Sequence, residues 1–164
     1  MIEGGNAIIR NSIIEGNTGA GGGGGIAQTS GGGDFGVPSE ITNSIISGNN
    51  AGWQGGGLSG DNWNITNCLF YNNVSGYGGG AINNAERMNL TNCSIIENYD
   101  AETNVQLRGN NGSHYIITNS IFYSIYSTQI QLWGNQDSLT IMYSNGIVNS
   151  NDVTGGYVTF GDGN

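Results

Sequence analysis

Lysine is absent from this chain, and only Arg10, Arg87 and Arg108 oppose twelve carboxylates, giving a formal net charge of −9. Such a surface repels a phosphate backbone, which argues against nucleic acid as a partner. His114 is the sole histidine, so neither a zinc site nor a histidine-based triad can be assembled from familiar ligands. No apolar run approaches the roughly 18 residues of a membrane span, and membrane insertion is not expected. The opening "MIEGGNAIIRNS" lacks the basic region and apolar stretch of a signal peptide. With charged residues at only 9%, the surface must be covered by Asn, Ser, Thr and Gly, a coat more usual outside cells than in cytosolic enzymes.

What is present is a repeat. "IRNSIIEGN" from Ile9, "ITNSIISGN" from Ile41, "ITNCLFYNN" from Ile65, "LTNCSIIEN" from Leu90 and "ITNSIFYSI" from Ile117 align without gaps, and "IMYSNGIVN" from Ile141 is a weaker sixth copy. Their starts are 32, 24, 25, 27 and 24 residues apart, about one solenoid coil. A second column, Ile26, Leu58, Ile82, Leu107 and Leu132, follows the same period, with glycine runs before its first members. Alternation of period two within each copy indicates strands. Helical solenoids need a period of 3.6 and far less glycine, and the leucine spacing of a leucine-rich repeat is missing. The fold expected is all-β: a right-handed parallel β-helix of about six coils of 24–25 residues, each with about three short strands, in a rod roughly 29 Å long.

Stacking assigns roles to the repeated residues. Asn11, Asn43, Asn67, Asn92 and Asn119 should form one side-chain amide ladder, and Asn17, Asn49, Asn73 and Asn98 a second, both at corners where asparagine tolerates left-handed backbone. Ile14, Ile46, Phe70, Ile95 and Phe122 should point inward, whereas Thr42, Thr66, Thr91 and Thr118 should stack outward, a threonine face for which ice binding is a remote option because one column is narrow. One domain is expected over residues 1–164, with a protruding loop at 27–40 around Pro38, the only proline.

The glycine runs raise the question of a phosphate loop, but no lysine is available to follow them and no helix is expected. They read instead as places where side chains would obstruct packing; alternatively, Gly55, Gly56 and Gly57 beside Trp53 form an exposed strip open to a ligand or partner. Trp53, Trp63, Tyr77, Tyr99, Tyr123 and Trp133 are outward candidates for stacking on sugar rings or for a protein interface. Cys68 and Cys93 occupy one repeat position, where other copies have Ser12, Ser44 and Ser120. In-register parallel stacking points both Cβ atoms the same way, unfavourably for a disulfide dihedral, so two free buried thiols are expected. No cofactor is implied; calcium held by loop carboxylates is the remaining candidate, although their spacing matches no calcium motif.

"GGAI" at 79–82 together with "FYNN" at 70–73 resembles the paired GGA[ILV] and FxxN repeats of chlamydial polymorphic membrane proteins, and more broadly the pectate-lyase-like class of right-handed β-helices in bacterial surface proteins. The likeness covers nearly the whole chain. It implies a bacterial cell-surface or extracellular location, and the chain reads as a fragment of a longer exported protein. Lyases of the class use a lysine or arginine base with a cation; here only the three arginines remain, in different coils. A glycosidase needs paired carboxylates facing one cleft, and Asp34, Asp61, Asp100, Asp137, Asp152 and Asp162 fall mainly in expected loops. The expectation is therefore a noncatalytic structural or adhesion module that contacts other protein chains and self-associates through its solenoid ends. The alternative is a domain that binds or cleaves polysaccharide, with glycans as partners.

Overall fold

The computed structural model describes residues 2–3, 6–29, 37–84, 86–110, 112–125, 128–134, 136–144 and 153–161. They form a parallel β-solenoid, with no helix among the described residues. Each full coil carries four strands rather than three. The first full coil comprises Ile8–Arg10, Ile13–Glu15, Thr18–Gly19 and Ile26–Thr29, and the third Trp63–Thr66, Leu69–Tyr71, Val74–Ser75 and Ile82–Asn84. Corresponding strands of successive coils pair in parallel, giving four sheets, numbered first to fourth in chain order within a coil. Four consecutive coils contain all four strands, against the six expected; the first and fourth sheets nevertheless run through seven strands each. Of the proposed loop at 27–40, Ala27–Thr29 and Ser39–Glu40 lie in strands, and 30–36 fall outside the described residues.

The first sheet buries Ile41, Ile65, Leu90, Ile117 and Ile141, the second Ile46, Phe70, Ile95 and Phe122, and the fourth Ile26, Leu58, Ile82 and Leu107. Burial contributes on the order of 1.5–3 kcal/mol for each such side chain. The fourth sheet departs from the sequence column at one place. Leu107 pairs with Ile130, while Leu132 stands opposite Gly109. A shift of two residues keeps the same face inward, so both Ile130 and Leu132 remain buried, and the missing side chain of Gly109 leaves Leu132 its space.

Both asparagine columns exist, but they differ in kind. Asn11, Asn43, Asn67, Asn92 and Asn119 are exposed at the turn between the first and second sheets, with φ between +47° and +55°. Each Nδ2 donates to the Oδ1 of the preceding coil, as from Asn67 to Asn43 and from Asn92 to Asn67, both at 3.1 Å. The second column, apart from the exposed Asn17, is internal, and it lacks left-handed backbone, correcting the expectation of a second strained asparagine corner. That conformation falls one residue earlier, at Gly16, Gly48, Asn72 and Glu97. Asn49, Asn73 and Asn98 are fully buried. Oδ1 of Asn73 accepts both the backbone N–H of Asn49 at 3.0 Å and its Nδ2 at 2.9 Å, and Asn98 does the same for Asn73. The remaining Nδ2 protons reach backbone carbonyls of the coil before, as from Asn73 to Ile46 at 2.8 Å. The buried amides of Asn49 and Asn73 are thus satisfied by their position in the stack.

The serine column has an equally definite role. The N–H of Ser12 donates to Oγ of Ser44, that of Cys93 to Oγ of Ser120, and that of Ser120 to Oγ of Ser144, at 3.1–3.2 Å. Each of these side chains also donates to the carbonyl two residues earlier, as Ser44 does to Thr42. A small donor–acceptor group is required here, which explains why thiols alone replace the hydroxyls.

Candidate functional site

Gly55, Gly56 and Gly57 are buried and form no exposed strip. Gly55 has φ +61°, and a Cβ on Gly56 would strike the carbonyl oxygens of Val74 and Gly80 in the next coil. Gly24, one coil earlier, shows the same fit: its Cβ would lie 2.6 Å from the carbonyl of Asn50. The runs bring neighbouring coils into backbone contact, where Gly24, Gly25 and Ile26 donate to Gly55, Gly56 and Gly57. In the fourth coil the run is replaced by an aspartate turn. Asp100 accepts from the N–H groups of Glu102, Thr103 and Val105 and from the Thr103 hydroxyl.

Three of the aromatic candidates do converge. Trp53 and Tyr77 occupy one turn position in successive coils, with the Tyr77 N–H donating to the Trp53 carbonyl at 2.6 Å. Their rings meet edge to face at 6.5 Å, and Tyr77 meets Trp133 in the same way at 5.6 Å. Between Tyr77 and Trp133 lies the guanidinium of Arg108, its carbon 4.2 Å from the Tyr77 ring centre and 3.5 Å from that of Trp133. Arg108 Nη2 donates to the Tyr77 hydroxyl at 3.1 Å, while Nε and Nη1 are buried without a partner. Gly78 makes room, since a Cβ there would lie 2.7 Å from Nη1. Trp53 is 61% exposed and Trp133 56%, whereas Arg108 is only 1% exposed. Asn83 and Gln131 flank Arg108 in register on the outer face of the fourth sheet, and Asn83 Nδ2 donates to Gln54 at 3.2 Å.

The other candidates lie elsewhere. Trp63 is buried, so it is not an outward aromatic. Tyr123 belongs to the second sheet, and Tyr99 pairs with Val74 in the third. Arg10 bonds Glu40 at 3.0 Å. Arg87 and His114 line an open groove of about 550 Å³ on the first sheet with Asn64 and Asn89, where His114 Nδ1 lies 2.6 Å from the Ser138 hydroxyl. Asp137 accepts from Ser113 and Gly134, while Asp34, Asp152 and Asp162 lie outside the described residues. Among the described residues no group of three or more His, Cys, Asp or Glu side chains is placed to hold a metal ion.

Cys68 and Cys93 are free and buried. The hydrogen bond with Cys68 and then burial hold the Cys93 thiol far above its ordinary pKa.

One surface escaped the sequence reading. Ile13, Ile45, Leu69, Ser94 and Ile121 stack in register on the outer face of the second sheet, beside Glu15, Ser47, Tyr71, Ile96 and Tyr123. Ile13 is 69% exposed, Ile121 49% and Tyr123 58%. The signal was two adjacent apolar residues in the repeats, "II", "LF" or "IF", of which a strand can turn only one inward.

Family models, curated proteins and solved structures offer no match to this chain.

Proposed function

We propose that this chain is a noncatalytic module of a bacterial cell-surface or extracellular protein, a rigid solenoid that carries a contact surface for other protein chains. The exposed apolar columns of the second sheet carry this reading. Scattered surface apolar residues are ordinary, but Ile13, Ile45, Leu69 and Ile121 share one outward column, interrupted only by Ser94, and lie beside Tyr71, Ile96 and Tyr123, a clustering of the kind that marks protein contacts. The polar residues supply further support, since Asp100, Asp137 and the internal asparagines are engaged in holding turns and coils. The likeness of "GGAI" and "FYNN" to chlamydial polymorphic membrane protein repeats, within the pectate-lyase-like class of right-handed helices, motivates the surface location. Self-association through the solenoid ends belongs to the same proposal.

Sedimentation over a concentration series tests the contact. Wild type should form larger species, and the double substitution Ile45→Lys with Ile121→Lys should reduce them. An unchanged monomer in both would overturn the assembly reading, and polysaccharide turnover lost on replacing Arg10, Arg87 or Arg108 would overturn the noncatalytic one.

A further inference from the structure

We propose that Trp53, Tyr77 and Trp133 form a binding strip for a neutral saccharide chain, with Arg108 as the residue that positions the rings. The strip lies on the fourth-sheet side of the solenoid, apart from the second-sheet surface, and goes beyond the assembly reading. Because Trp53 and Tyr77 are joined backbone to backbone across coils, the stacking of the coils sets their spacing, and Trp133 meets the Tyr77 ring edge to face. A sugar ring offers an apolar C–H face and a hydroxyl edge. The first suits an exposed indole; the second suits the half-buried amides of Gln54 and Gln131 alongside.

Charge selects the ligand further. The one cation in the cluster is enclosed between two rings, so the accessible strip bears no positive charge. Glu102, four residues after Asn98 as Tyr77 is four after Asn73, is exposed at the next turn. With the net charge of −9 this disfavours a uronate or sulfated chain. The enclosed guanidinium acts by orientation: in cation–π contact with both rings and bonded to the Tyr77 hydroxyl, it holds Tyr77 and Trp133 before a ligand arrives, lowering the entropy lost on binding.

Calorimetric titration and tryptophan fluorescence with hexasaccharides of β-linked glucose, β-linked N-acetylglucosamine and galacturonate test the proposal. At least one neutral chain should bind, more tightly than the uronate, and Trp53→Ala and Trp133→Ala should each weaken it about tenfold or more. Arg108→Met should weaken binding and lower the fluorescence anisotropy of Trp133, with partial recovery in Arg108→Lys. If Arg108→Met does not fold, Tyr77→Phe, which removes only the hydroxyl bonded to Arg108, should give a smaller loss. The Ile45→Lys, Ile121→Lys protein should keep full saccharide binding, separating this site from the assembly surface. No neutral binding, preference for the uronate, or indifference to Trp133→Ala overturns the proposal. So does loss of self-association, without saccharide binding, in the tryptophan variants, which makes the strip a protein interface.

Discussion

The backbone N–H and the side-chain amide of Asn98 both donate to Oε1 of Gln106, at 3.1 and 3.2 Å. In the earlier coils that acceptor is the asparagine of the next coil. After Asn98 the next residue in the column is Ile125, and Gln106, whose stacked counterparts are Gly25, Gly57 and Ala81, reaches in from the fourth sheet to take the amide's place. Its own amide passes the bond on to Gln129 at 2.5 Å.

Gln106→Ala should therefore cost about 1–3 kcal/mol, because buried donors of Asn98 lose their acceptor. Urea unfolding measures the loss; an unchanged midpoint would show that water replaces the glutamine without cost.

Tyr143 occupies the corner that asparagine holds in the five preceding coils, and its φ is +52°. Tyr143→Asn should stabilise the protein by about 1 kcal/mol, since asparagine tolerates left-handed backbone better and can extend the ladder onto Asn119. A lower thermal midpoint than wild type would contradict this account of the corner.

Two glycines distinguish packing from permissiveness. Gly56→Ala should cost about 3 kcal/mol or more, because the new Cβ meets fixed carbonyl oxygens. Gly21→Ala adds a methyl group with nothing within 4 Å and should stay within about 0.5 kcal/mol. Equal effects in denaturant melts would show that the runs serve flexibility and not close approach.

The Cys93 thiol keeps its proton in the folded chain at a pH where an unfolded thiol has lost it. Cys68, across the same hydrogen bond, is shifted downward, so the folded pair binds more protons than the unfolded one only after both unfolded thiols have ionised; the stabilisation due to Cys93 is complete below about pH 8.5 and declines as pH rises beyond that range. Cys93→Ser preserves the donor and acceptor used in other coils and should remove that alkaline decline while costing little at pH 7. Parallel declines in wild type and variant between pH 8 and 10 would assign the effect elsewhere.

The regular part of the fold was legible because parallel, in-register stacking places like residues above one another. Asn43, Asn67 and Asn92, Ser44 and Ser120, and Ile46, Phe70 and Ile95 all declare their columns in the sequence. Leu132 was misplaced for a definite reason: a shift of two residues preserves the inward face, so periodicity alone cannot distinguish it from Ile130. Nothing in the spacing of Tyr77, Arg108 and Trp133 indicates their meeting, since it depends on side chains leaning across coils on the outer face of one sheet.

By itself the sequence determined the solenoid, its period and its internal columns, because each coil satisfies its buried groups with the residues that recur in the next. Only the tertiary structure decided which of two adjacent apolar residues faces outward, that Trp63 is buried, and that Tyr77 and Trp133 meet around Arg108 with Trp53 against Tyr77. Those outcomes depend on corner geometry and side-chain direction, which a repeat constrains on the inside and leaves free on the outside.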